Sequence, residues 1–230
     1  MYICGGTLIS DRQISTAAHC VMFNGTILPP EDFVVIFGED YPSRTDEQEF
    51  RVGVQEICAS PDFTDENLRY DWALITLEQP VEFNDYVQPA CLPRENQKII
   101  TTGPNAVCFL VGGGSISKKP NPAGLNKPDI VVSSKFLRKM RAENVACQYQ
   151  FGPISRDRVC YTGAGGARSD SCAGDSGGPI LCLDLKKRWT LMASVSYGPR
   201  FCDHHAPAAY SRTRYVIQEI AQKCYVDLLR

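Results

Sequence analysis

Short apolar stretches separated by clusters of Gly, Pro, Asn and Asp run along most of the chain, the pattern of an all-β barrel protein. Residues 33–37, 71–77, 107–111 and 188–195 are the clearest strands. Near the C-terminus the period changes. Val216, Ile217, Ile220, Ala221 and Cys224 fall on one face of a helix predicted between Tyr215 and Leu229. Residues 93–104 read as a crossing between two halves. Residues 112–128, rich in Gly, Ser, Pro, Asn and Lys, read as an exposed loop.

A chain of 230 residues is long enough to bury a sizeable core. A net charge of −2 with no dense basic run argues against nucleic acid as the main partner. No apolar run approaches membrane-spanning length. Eleven cysteines without a C-x-x-C pair point to a disulfide framework in an oxidising, extracellular compartment. Asn24-Gly25-Thr26 is a glycosylation sequon.

The candidate chemistry centres on Gly174-Asp175-Ser176-Gly177-Gly178-Pro179. Glycines let the backbone turn sharply around a serine and aim main-chain N–H groups at one spot. Such a spot can hold the oxygen that becomes negative when a carbonyl is attacked. Upstream lie Thr16-Ala17-Ala18-His19-Cys20 and Asp71-Trp72-Ala73-Leu74. Each residue alone has an ordinary structural explanation. Together, a weakly nucleophilic Ser176, a base in His19 and an orienting carboxylate in Asp71 are the parts of a nucleophilic triad.

These motifs, with residues 4–10 (CGGTLIS), residues 89–93 (PACLP) and Asp170-Ser171-Cys172, resemble the trypsin/chymotrypsin family of serine endopeptidases almost from end to end. The chain order His, Asp, Ser separates that family from subtilisins and α/β-hydrolases. The resemblance implies two antiparallel β-barrels with the active site between them and a C-terminal α-helix. The first barrel would span about residues 1–92, the crossing 93–104, and the second barrel with the helix 105–230. It further implies a secreted protease that needs no cofactor and cleaves after Arg or Lys through an acyl-enzyme, acting on protein substrates and met by protein inhibitors.

Residue by residue, the resemblance makes His19, Asp71 and Ser176 catalytic. The N–H groups of Gly174 and Ser176 become the oxyanion hole, and Asp170 the acidic floor of the primary pocket. Ser196, Tyr197 and Gly198 become the wall that pairs with substrate. Ala208 stands where the family usually has Gly, so an added methyl is expected to narrow that pocket. Residues 111–114 (VGGG) lack the family's usual Trp, which loosens a loop near the cleft. Asp175 matches the acid that pairs with a new N-terminal ammonium after zymogen cleavage. Family members carry further residues before Cys4, so the chain is expected to be part of a longer zymogen.

Family matching pairs Cys4–Cys20, Cys108–Cys182, Cys147–Cys160 and Cys172–Cys202. Cys91 matches a position that tethers an upstream regulatory segment, which leaves Cys58 for Cys224. Glu39, Asp46 and Glu49 fall where some trypsins bind calcium, but a solvated acidic surface loop is the preferred reading, because a calcium site also needs well-placed carbonyls. His204-His205 is an adjacent pair beside the pocket loop, to which no metal is assigned. Two rivals stay open: a non-catalytic binding module with a protease fold, and a protease with a narrowed, non-basic pocket.

Overall fold

The computed structural model describes residues 4–41, 44–121, 130–147, 155–166, 171–199, 202 and 207–224. Its first half holds β1 (Thr7–Leu8), β2 (Gln13–Thr16), the hairpin of β3 (Met22–Phe23) and β4 (Thr26–Ile27), β5 (Val34–Phe37), β6 (Phe50–Ala59) and β7 (Ala73–Leu77). One antiparallel sheet runs β1-β2-β7-β6-β5. Alternating residues of these strands, among them Leu8, Ile14, Ile57, Ile75 and Leu77, fill one core with Val81 and Val87.

The second half holds β8 (Cys108–Gly112), β9 (Ser115–Lys119), β10 (Ile130–Ser133), β11 (Arg138–Val145), β12 (Arg158–Gly163), β13 (Pro179–Leu183), β14 (Trp189–Tyr197) and β15 (Ala208–Arg212). The strands β11-β12-β15-β14-β13-β8 close into a six-stranded barrel, which leaves no exposed edge in that ladder. Its core includes Leu110, Tyr161, Ile180, Val195 and Tyr210. A five-stranded half-barrel sheet, a closed barrel and one C-terminal helix agree with the expected two-barrel fold.

Two local expectations need correction. The stretch 112–128 is not simply loop: Ser115–Lys119 pair with Ile130–Ser133 as a hairpin, because backbone pairing does not require the apolar alternation that sequence reading looks for. The segment from Asp71 joins the ladder only at Ala73. Asp71 and Trp72 follow a left-handed residue, Tyr70, and Trp72 N–H turns back to the Tyr70 carbonyl.

Helix α1 (Thr213–Lys223) shows the expected face, with Val216, Ile217 and Ile220 buried. Its C-cap is Cys224, and residues 225–229 of the predicted helix lie outside the described residues. The helix belongs to the second half in sequence yet docks on the first. Val216 and Ile220 pack with Trp72 and Leu74, and a Cys58–Cys224 disulfide fixes the contact. Full burial of each aliphatic side chain contributes roughly 1.5–3 kcal/mol. The other pairs are Cys4–Cys20, Cys108–Cys182, Cys147–Cys160 and Cys172–Cys202. Cys91 is a free, half-buried thiol.

Candidate active site

His19 sits in a single 3-10 turn, Ala18–Cys20, at the end of β2. The Cys4–Cys20 bridge ties this turn back to the chain before β1. Ala17 and Ala18 are fully buried, so their small side chains let the turn lie directly on the core. The imidazole Nδ1 stands 2.8 Å from Asp71 Oδ2, and the His19 backbone N–H donates to Asp71 Oδ1 at 3.0 Å. One carboxylate therefore holds both the ring and the main chain that carries it.

Asp71 is 1% exposed, and its environment is polar enough to keep it there. Ser196 Oγ donates to Oδ2 at 2.5 Å, and Ser211 Oγ donates to the Asp71 carbonyl, also at 2.5 Å. Burial alone pushes the His19 imidazole down. The hydrogen bond and charge of Asp71, with the charge of Asp65, outweigh this and leave its pKa raised above the ordinary 6.5.

Ser176 comes from the second half. Its carbonyl accepts from Gly5 N–H at 2.7 Å, and Gly177 N–H donates to Val195 O at 2.8 Å. Gly177 has φ of +73°, and a Cβ there would collide with Thr16 Oγ1 and the Gly5 carbonyl. That close approach seats the serine loop against the strand leading to His19. Among the described residues no hydrogen bond closes between Ser176 and His19, a contact that often tightens only with substrate in place. Gly174 has φ of +94°, and among the described residues neither its N–H nor that of Ser176 has a protein acceptor. Two unclaimed donors beside a serine hydroxyl have the arrangement that an oxyanion requires.

Ser176, Ser196, Tyr197 and Gly198 line one cleft of about 190 Å³, with Ser171, Cys172 and Cys202. The Cys172–Cys202 bridge links two of those walls. Ala208 is fully buried on β15 and is not among the lining residues; a Cβ on Gly198 would lie 3.2 Å from the Ala208 methyl. The extra carbon thus packs behind Gly198. Asp170 and His204-His205 lie outside the described residues. A larger cavity of about 510 Å³, lined by Arg94, Lys98, Leu185 and Arg188 among others, shares no residue with this cleft.

Asp175 is buried and is not among the residues that line the cleft. Its carboxylate accepts N–H groups from Gly114 at 2.9 Å and Cys172 at 2.9 Å, and among the described residues no cation pairs with it. Burial pushes its pKa up against the pull of those two donors. Gly112 and Gly114 close on this carboxylate, where any Cβ would overlap it. The glycine run without Trp is thus shaped by Asp175.

A protein-family model described as Trypsin matches residues 1–220. The chain belongs to the trypsin family. Rat transmembrane protease serine 9 is 30% identical over 214 residues, covering 92% of this chain and 19% of the relative. Human mannan-binding lectin serine protease 1 is 30% identical over 210 residues, 85% of this chain and 28% of the relative, and its rat counterpart is 29% identical over the same span. The chain spans under a third of the length of these curated relatives. As a trypsin-family member it falls among the serine-type endopeptidases, which are hydrolases.

This trypsin-family chain keeps its acidic loop busy. Asp46 accepts N–H groups from Asp40 and Tyr41 and pairs with Arg44, while Glu49 pairs with Arg51. Glu39 is raised by burial and by the nearby charges of Glu49 and Asp46. Cys4, His19 and Cys20 converge as a metal site would, but both sulfurs belong to one disulfide and no thiolate is available. Asn24 occupies the tip of the β3–β4 hairpin with φ of +48°, followed by Gly25 at +74°. Asn-Gly is the usual sequence of such a tight turn, a signal that went unread, and it leaves Asn24 exposed. Sequence reading also missed Ser211 and the second task of Ser196; a lone serine on a strand carries no local mark of a partner.

Proposed function

We propose that this chain is the catalytic unit of a secreted serine endopeptidase that cleaves after Arg or Lys. The observation that carries it is the His19 Nδ1–Asp71 Oδ2 contact of 2.8 Å, in a chain that also sets Ser176 on a cleft and leaves the N–H groups of Gly174 and Ser176 without a protein acceptor among the described residues.

Ser176 Oγ attacks the scissile carbonyl carbon while His19 takes its proton. Asp71 holds the imidazole tautomer and stabilises the imidazolium. The carbonyl oxygen, now negative, accepts from Gly174 and Ser176 N–H, a donor pair of which each member is typically worth about 2.7–4 kcal/mol. His19 then returns the proton to the leaving amine as the C–N bond breaks. Water, deprotonated by His19, attacks the acyl-enzyme, and Ser176 leaves with the proton. No cofactor enters these steps.

Asp170, six positions before Ser176, supplies the preference for a cationic side chain. Ser196, Tyr197 and Gly198 pair with the substrate backbone. Cys91 tethers an upstream regulatory segment, and protein inhibitors occupy the same cleft. Five disulfides and the exposed sequon Asn24 support an oxidising, extracellular location. Among the described residues no helix is long and apolar enough to cross a membrane.

The test is hydrolysis of matched peptides with Arg, Lys, Phe or Ala before the scissile bond, by protein carrying its native upstream segment and cleaved before Cys4. Fast Arg or Lys turnover that is lost in Ser176→Ala is the expected result. Absence of Ser176-dependent turnover in a folded, cleaved sample would overturn the proposal in favour of a binding module.

A further inference from the structure

Leu68 and Tyr70 carry φ of +48° and +54°. For residues with large side chains this left-handed backbone costs about 1–3 kcal/mol each, and it persists only where the surroundings impose it. Only Arg69 separates the two, and Tyr70 directly precedes Asp71. The first half offers them part of a frame: Leu68 N–H donates to Thr64 O at 2.9 Å, and Arg69 N–H to Asn67 Oδ1 at 3.0 Å.

The rest of the frame comes from the other half of the molecule. Asp157, 5% exposed, accepts Tyr70 N–H on Oδ2 at 2.9 Å. Arg158, 6% exposed, donates from Nη2 to Asn67 O at 3.0 Å and reaches Leu68 O at 3.5 Å. Its guanidinium lies 4.9 Å from the ring centroid of Tyr197, on the cleft wall, within cation–π range. Both residues are anchored at their backs. Arg212 N–H donates to Asp157 O at 2.8 Å, and Arg212 Nη2 to Arg158 O at 2.8 Å.

We propose that Asp157 and Arg158 are positioning residues of the active site: they hold the strained 67–70 turn across the boundary between the two halves, and through it keep Asp71 against the His19 imidazole and the turn at a set distance from Tyr197. Neither touches a reacting atom. The proposal rests on the catalytic reading above, because positioning has meaning only if Asp71 serves His19. A misplacement of about 1 Å in such a site costs up to about 100-fold in rate.

The experiment compares Asp157→Ala, Asp157→Asn and Arg158→Lys in protein that shows Ser176-dependent turnover. Asn keeps an oxygen acceptor for Tyr70 N–H, whereas Ala does not. In Asp157→Ala, kcat should fall about tenfold or more with KM changed less than about threefold. The acid limb of the pH profile should move to lower pH, since a loosened Asp71 raises the imidazole less. The acids that face His19 are Asp71 and Asp65, and Asp65 is untouched by the substitution. Asp157→Asn should restore both quantities. If Asp157→Ala does not fold, Arg158→Lys reads the same shift in smaller measure, because an ammonium lacks the planar guanidinium that reaches the Asn67 carbonyl while lying over the Tyr197 ring. Unchanged kcat and an unchanged acid limb overturn the proposal, as does a loss that Asn fails to restore. If the parent protein shows no Ser176-dependent turnover, the catalytic reading fails separately. The His19 imidazole titration by NMR, assigned with His19→Gln, then decides whether the turn is held as described.

Discussion

Ser196 Oγ donates to Asp71 Oδ2 at 2.5 Å across the interface between the two halves. The same oxygen faces His19 Nδ1, so the carboxylate is clamped from both barrels at once. A hydrogen bond to a charged group is typically worth about 1.5–3 kcal/mol. Ser196→Ala leaves one lone pair of Asp71 without its donor and the carboxylate freer to rotate. On the proposed reading, in which only the backbone of residues 196–198 pairs with substrate, the expected result is a loss of about tenfold in kcat with KM little changed. Steady-state kinetics on one Arg or Lys peptide checks it.

The raised imidazole sets a pH dependence. On the proposed triad His19 must be neutral to act as base, so kcat/KM should rise with pH through the imidazole pKa, which lies above the ordinary 6.5. Asp71→Asn removes the charge that raises it, and the midpoint should move below that of the wild type while the rate collapses. A pH profile of kcat/KM, with the imidazole followed by NMR in both proteins, measures the direction. A wild-type midpoint below the ordinary value contradicts it.

Asp175 has a linked effect on stability. Its folded pKa is raised above the ordinary 3.8 by burial. The folded state therefore binds the proton more tightly than the unfolded chain. The stabilisation is fully present below the ordinary value and is lost as pH rises through the folded pKa. An ionised Asp175 consequently weighs against the fold at neutral pH. Comparing Tm of wild type and Asp175→Asn from pH 7 down to pH 4 should show the difference moving in favour of wild type as pH falls. A gap that stays constant contradicts the linkage.

Removing the Cys58–Cys224 bridge tests how the helix is held. The bridge closes a loop of 166 positions between β6 and the end of α1. Its loss, as the paired change Cys58→Ser and Cys224→Ser, should cost about 2–4 kcal/mol, read from the midpoint of a denaturant titration. The apolar contact of Val216 and Ile220 with Trp72 and Leu74 remains in that variant. Hydrogen exchange should therefore rise first at the end of the helix near Lys223.

The Gly-rich serine loop, the helix face from Val216 to Cys224 and the strand-turn pattern are local signals, because backbone freedom and side-chain period act over a few residues. They placed the all-β fold, the nucleophile candidate and, through the family resemblance, four cysteine pairs in the sequence itself; Cys58–Cys224 was the pair left over, and the tertiary structure decided it. The reach of Asp157 to Tyr70 spans 87 positions, that of Ser196 to Asp71 125, and that of Ser211 to the Asp71 carbonyl 140. Nothing near a serine or an aspartate along the chain tells which of several polar side chains will be buried facing a given acceptor. That selection is made where the two β units and one helix meet in the folded chain, and desolvation there penalises every polar group left without a partner.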